Sequence, residues 1–290
     1  MSALLNELES LLGPGGMVSS EVLAERATSY WNSAPTEALD MARPASTEQL
    51  SQVMKLCAEH GQTMVVQGGR TGVVAGAESS ASDLIISLER MNAIEAVDEV
   101  GGTATIQGGA VLQTVQEQLA DQGFLFPLDL GARGSCTIGG TVATNAGGIN
   151  VLRYGMMRNL VLGLEAVLAD GTVVSSMNQM LKNNTGYDLK QLFIGSEGTL
   201  GVVTRAVVRL FPLPGSRQTA MVAPARLAVK MAAAAQRSSS FGSWKAAAFT
   251  PNNTARTPAA RTQTAAARIS ACGGPWAPGN VRASATHQVA

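Results

Sequence analysis

Residues 127–148 constrain this chain more than any other stretch. Six of the 22 are glycine, and Ser135, Thr137, Thr144 and Asn145 supply much of the polarity. Loops this long without structure of their own are uncommon in compact domains and are usually functional or disordered. Small side chains let a planar ligand lie against backbone, and the hydroxyls and the amide offer it hydrogen bonds. Residues 138–146 predict a short helix whose first amides favour an anionic group. A glycine-rich surface loop without a ligand is the alternative reading.

Two further segments are of the same kind. Thr63-Met64-Val65-Val66 predicts a short buried strand running into Gln67-Gly68-Gly69-Arg70-Thr71-Gly72 and on to Ala75-Gly76-Ala77. Consecutive backbone N–H groups in such a loop can form an anion-binding nest for a pyrophosphate, and Thr71 adds a hydroxyl donor. Glycine lets the backbone come close to phosphate. The spacing is neither Gly-x-Gly-x-x-Gly nor the loop ending in Gly-Lys-Ser/Thr, and an ordinary tight turn between strand and helix remains open. The third segment, residues 195–204, joins a short apolar stretch to a β-rich one through Gly195, Gly198 and Gly201.

The periodicity between these segments mixes helices and strands. Leu4, Leu5, Leu8, Leu11 and Leu12 predict an amphipathic helix stopped by Gly13-Pro14-Gly15-Gly16, and Ser20 is a candidate cap for a second short helix reaching Arg26. Pro44 closes a first strand, and Ser46-Thr47-Glu48 opens a helix whose apolar face is Leu50, Val53, Met54, Cys57 and Ala58. Strands follow at 84–88, 93–97 and 103–107, then a helix at 111–120. Residues 160–168 and 172–174 flank the turn Asp170-Gly171 as a hairpin, and 201–211 is the last strand before Pro212 and Pro214. The hairpins point to α+β rather than a doubly wound parallel sheet.

Charge separates the chain into two parts. All 21 acidic residues lie at or before Glu197, whereas 11 of the 21 Lys and Arg follow it. After about Arg217 the chain is rich in Ala, Ser, Thr, Pro and Arg without sustained periodicity, too little apolar patterning to offset ordering entropy. We expect residues 218–290 to be disordered or read from a shifted frame. A basic nucleic-acid arm is disfavoured, because aromatic interleaving and clustered charge are missing. Cys57, Cys136 and Cys272 make no disulfide framework and fit no zinc spacing, and His60 and His287 are far apart in sequence. No stretch approaches the roughly 20 apolar residues of a membrane span. Residues 1–12 lack the pattern of a signal or transit peptide, so a cytoplasmic setting is expected.

Together the three glycine-rich segments resemble the FAD-binding domain (PCMH type) of the vanillyl-alcohol oxidase class of flavoproteins. The resemblance narrows at 126–136, at Asn145-Ala146-Gly147-Gly148, at Leu152-Arg153-Tyr154-Gly155, at 161–173 and above all at 184–201. Over about residues 20–217 these runs look like the D-2-hydroxyglutarate dehydrogenase family and related FAD-linked D-lactate and glycolate dehydrogenases. The resemblance implies an α+β domain of two α/β subdomains at 38–217, after a helical segment 1–37 and before the tail 218–290, with non-covalent FAD. It implies that Gln67, Gly68, Gly69, Arg70, Thr71 and Gly72 wrap the pyrophosphate, with Gly76 and Ala77 nearby. Asp129, Gly134, Ser135, Ile138, Gly139, Gly140, Asn145 and Gly148 would line the ribityl chain, adenine and flavin. Glu197, Gly201 and Val202 would close the adenine side. The sequence departs from the family at Arg70, Ala75 and Thr141, where a small, neutral or amide residue, Gly and Asn are usual. The implied substrate is a small 2-hydroxy acid, and the implied electron acceptor is an electron-transfer flavoprotein or a quinone. The resemblance implies that family members carry their substrate groups, metal-binding histidines included, in a C-terminal domain, which we expect this sequence not to contain. Accordingly no catalytic or metal-ligating residue is expected here.

Overall fold

The computed structural model of the chain describes residues 2–216; the expected tail lies outside them. Residues 1–214 form one unit, built from two sheets with helices packed on them.

The first sheet has the order β1-β2-β4-β3. Strands β2 (Asp40–Ala42), β4 (Leu84–Ser87) and β3 (Met64–Gln67) run parallel, and β1 (Met17–Ser19) adds antiparallel to β2. Parallel neighbours need crossovers, and helix α3 (Thr47–Glu59) provides the one between β2 and β3. Ser46 caps it as the sequence predicts, its hydroxyl accepting from the Gln49 amide at 3.2 Å. Helix α1 (Ser2–Leu12) lays Leu4, Leu8 and Leu12 into the same core as Leu50, Val53, Met54 and Cys57 of α3. Strand β4 is buried throughout, whereas β3 is only half-buried before Gln67, because it is the sheet edge. Helix α2 (Ser20–Leu23) is shorter than the sequence predicts. Its N-cap is Ser19 rather than the expected Ser20, and the Ser19 side chain makes no capping bond.

The second sheet is antiparallel with the order β5-β6-β10-β8-β9: β5 (Ile94–Asp98), β6 (Thr103–Gln107), β10 (Val202–Arg209), β8 (Val161–Val167) and β9 (Val173–Ser176). The Asp-Gly turn between β8 and β9 is where the sequence puts it, with Gly171 at φ +84° and the Thr172 amide donating to Asp170 at 2.8 Å. The strand of this sheet that comes last in sequence, β10, is thus its central one. Helix α4 (Leu112–Asp121) and the short α5 (Ile138–Ala143), α6 (Val151–Tyr154) and α7 (Met157–Leu160) join this sheet's core around Ile106, Leu112, Phe126, Ile138, Val142, Met157 and Val208. Residues 189–193, left unassigned by periodicity, contain the single turn α8 (Lys190–Phe193). The final predicted strand breaks at Leu210, and β11 (Phe211–Pro212) pairs instead with β7 (Phe124–Leu125). Parallel and antiparallel sheets in one unit make the fold α+β.

Candidate functional site

Chain folding brings the three glycine-rich segments together. Strand β3 ends at Gln67, whose buried side chain donates from Nε2 to the Ala77 carbonyl at 2.8 Å and so closes the base of the following loop. The loop then lies on the second segment. A Cβ on Gly69 would sit 1.9 Å from the Ser135 carbonyl oxygen, and one on Gly68 would sit 2.6 Å from Thr137 Oγ1. The third segment reaches both. The Gly195 and Glu197 amides donate to Val142 O (3.1 Å) and Ala143 O (2.9 Å) at the end of α5. A Cβ on Gly76 would meet Glu197 Oε2 at 3.6 Å, and one on Gly198 would meet Val66 Cβ at 3.9 Å.

Backbone strain gathers in the same place. Among the described residues, four that are not glycine occupy the left-handed region: Arg70 (φ 53°), Ala75 (φ 58°), Asn145 (φ 48°) and Glu197 (φ 53°). All four lie in the three segments. Such conformations cost on the order of 1–3 kcal/mol each and concentrate at functional sites.

The donors of the two main segments differ. No amide N–H from Gly69 to Ala77 donates to an acceptor among the described residues. With the Thr71 hydroxyl, this run of donors can bind a diphosphate. At α5 the expectation fails. The Ile138 amide donates to Ala110 O (2.9 Å), the Gly139 amide to Gly108 O (2.7 Å), and the Gly140 amide to Thr137 Oγ1 (3.3 Å). The first turn of α5 is therefore capped by protein and offers no anion cradle. Gly139 is small because its Cβ would lie 3.0 Å from Gly108 O and 3.1 Å from Val203 O.

The charged and polar candidates are engaged locally. Arg70 donates from its guanidinium to the Ala27 carbonyl, while its own carbonyl accepts from the Tyr30 amide at 3.1 Å. Asp129 pairs with Arg133 at 3.1 Å. Its carbonyl accepts from the Ile149 amide and faces Gly148, whose Cβ would lie 2.0 Å away. Asn145 accepts the Arg158 amide through Oδ1 at 3.0 Å, and the Arg158 guanidinium binds Gln191 and the Ile194 carbonyl, which fixes the approach to Gly195. Thr141, buried, donates to Ile138 O at 2.8 Å. Gly201 sits where its Cβ would meet Val167 O at 2.6 Å, Val202 is buried beside it, and Gly72, Gly134 and Ser135 are on the surface or near it. Burial raises the Cys136 thiol to about 11, so it packs as a neutral side chain.

Sequence reasoning missed two positions. Arg158 binds the third segment to the second. Glu165 is a buried carboxylate in an otherwise apolar strand. That lone charge, and Arg205 within the largely apolar β10, were the signals available in the sequence.

Comparison with known proteins agrees with this geometry. Residues 40–176 match the FAD binding domain family. The fold is shared with alkyldihydroxyacetonephosphate synthase (TM-score 0.67, 22% identity, 74% of this chain and 41% of that one). It is shared also with a variant of Phl p 4 described as a glucose dehydrogenase (TM-score 0.61, 20% identity, 73% and 44%). The matched segment is therefore similar to FAD-binding domains, and the cofactor this match indicates is FAD.

Among curated proteins the chain is 47% identical over 182 residues to the mitochondrial D-2-hydroxyglutarate dehydrogenase of Bos taurus, covering 63% of this chain and 34% of that protein. It is 46% identical over 192 residues to the Danio rerio protein of the same name, covering 66% and 36%. It is 47% identical over 161 residues to the D-2-hydroxyglutarate–pyruvate transhydrogenase of Saccharomyces cerevisiae, covering 56% and 32%. The chain thus spans about a third of the length of these relatives. The amides of 69–77, unbonded among the described residues, fit the phosphates of a dinucleotide, whereas glycines 68, 69 and 148 are crowded by the protein's own atoms. Among the described residues no helix is long and apolar enough to cross a membrane.

Proposed function

We propose that this chain is the FAD-binding part of an FAD-dependent D-2-hydroxy acid dehydrogenase, which oxidises a D-2-hydroxy acid such as D-2-hydroxyglutarate or D-lactate to the 2-oxo acid. FAD, held without a covalent bond, supplies the two-electron acceptor for that oxidation. The amides of Gly69, Arg70, Thr71 and Gly72, with Gly76 and Ala77, hold the diphosphate, and Gln67 keeps their loop closed. Asp129, Gly134, Ser135, Ile138, Gly139, Gly140, Asn145 and Gly148 line the ribityl chain and rings. Glu197, Gly201 and Val202 close the adenine side. The observation that carries this reading is the meeting of three glycine-rich segments around nine consecutive unbonded amides.

A second reading, an FAD-binding module without turnover, is favoured by the charges at the site. The cations next to the three segments are already committed, Arg70 to Ala27, Arg133 to Asp129 and Arg158 to residues 191–194. Substrate carboxylates therefore need cations from elsewhere. An electron-transfer flavoprotein or a quinone is the proposed acceptor. The proposed setting is cytoplasmic, although the animal relatives are named as mitochondrial.

The test is the visible spectrum of the purified full chain, followed by a dye-reduction assay with D-2-hydroxyglutarate and D-lactate. Stoichiometric FAD on denaturation together with dye reduction supports the dehydrogenase. Bound FAD without reduction supports the module. A colourless folded protein overturns both.

A further inference from the structure

Every residue of β8 is buried, and Glu165 is its one ionisable side chain, 4% exposed. The neighbouring strand β10 satisfies most of the carboxylate, with Thr204 Oγ1 donating at 2.8 Å, Arg205 Nε at 2.9 Å and Arg205 Nη2 at 2.5 Å. The remaining donor comes from outside this sheet. Thr47 Oγ1 donates at 2.7 Å, and Thr47 is the first residue of α3, the crossover helix of the parallel sheet. One turn further on, Ser51 Oγ donates to the Gly171 carbonyl at 2.5 Å, and Gly171 has no room for a Cβ against Ser51. Val167 and Val202, at the ends of β8 and β10, pack in the core of the first sheet with Leu50 and Val53 of α3. The two sheets are thus joined through α3, and the only buried ionic group at that joint is Glu165 among the described residues.

The chain leads directly from this joint to the site. Beyond α3 comes β3 and then the amide-lined loop, and the residues before β10 are the third glycine-rich segment. A shift of α3 on β8 and β10 therefore moves the 69–77 loop relative to residues 195–202. We infer that Glu165, through Thr47, is a positioning residue that sets the spacing between the diphosphate loop and the segment opposite, and so controls how tightly the dinucleotide is held. The inference rests on the proposal that these segments hold FAD.

Two substitutions separate positioning from general stability. Thr47→Val removes the bond that crosses between sheets. Thr204→Val removes an equally buried bond to the same carboxylate within one sheet. FAD is titrated into the deflavinated full chain, and binding is followed by flavin fluorescence. Both variants lose a hydrogen bond to the same carboxylate, but only Thr47→Val frees α3 to shift, so binding is expected to weaken roughly tenfold in Thr47→Val and less than about twofold in Thr204→Val. Equal losses in the two variants, or no loss for Thr47→Val, overturn the inference. Hydrogen exchange of the ligand-free chain reads the same joint without FAD. Thr47→Val alone is expected to speed exchange in α3 and in the 168–172 turn, and indistinguishable variants overturn the inference. If the wild type takes up no FAD, the proposed function fails while the exchange experiment still decides the role of Glu165.

Discussion

The loop at 69–77 and the helix at 138–143 are both rich in small residues, yet their backbones do opposite things. The loop leaves its amides without acceptors among the described residues and holds Arg70 and Ala75 in the left-handed region. The helix commits its first three amides to Ala110, Gly108 and Thr137, and Gly139 serves to let strands and helix come close. Glycine density therefore marks close approach in general. Only the hydrogen bonds tell whether the approaching partner is a ligand or the protein itself.

The comparison can be broken most forcefully where the two regions are joined. Glu165→Ala leaves Arg205, Thr47 and Thr204 without their acceptor. It is expected to cost about 3–5 kcal/mol, as for other broken buried pairs, measured by urea unfolding. Burial raises the pKa of this carboxyl, but hydrogen bonds from Arg205, Thr47 and Thr204 outweigh burial and hold it below the ordinary range. A depressed folded pKa stabilises above the unfolded value of about 4.3 and is lost as pH falls through the folded one. The acid limb of the stability curve is accordingly expected to flatten in Glu165→Gln.

Next come the glycines that touch backbone. Gly69→Ala drives a Cβ into the Ser135 carbonyl, and about 3 kcal/mol of destabilisation is expected from overpacking, read from the urea midpoint. Smaller and of opposite sign is Ala75→Gly. It relieves a positive φ in a residue with a Cβ and is expected to stabilise by about 1 kcal/mol, with FAD bound more tightly by equilibrium titration. Smallest is Gly72→Ala. No atom lies within 4 Å of its Cβ and its φ is unstrained, so stability should stay within about 0.5 kcal/mol. A large loss of stability in this variant would mean that the loop is packed like α5 rather than open.

Much of this architecture was legible in the sequence. Ser46 before the Leu50, Val53, Met54 and Cys57 stripe gave α3, the Asp-Gly turn gave β8 and β9, and three spaced glycine runs marked segments that the fold brings together. What was not legible depended on distant partners. Strand β1 is three residues long and exists by pairing with β2, and β11 exists by pairing with β7. Residues 138–140 looked like an anion cradle because the acceptors of the first two amides, Ala110 and Gly108, lie far earlier in the chain and nothing local indicates that they bend back. Thr141, a departure from the family pattern, is accommodated by a bond to Ile138 within its own helix.

Strand β10 pairs on one side with β6, as in Arg205 with Gln107, and on the other with β8, as in Ala206 with Leu164. A ribosome releases β6 and β8 long before it releases their shared neighbour. During synthesis the hairpins β5–β6 and β8–β9 therefore wait with open edges, the condition that invites intermolecular pairing. Such long-range closure is also slow. The parallel sheet, complete once β4 has emerged, can consolidate first, and the antiparallel sheet closes around it when its central strand arrives.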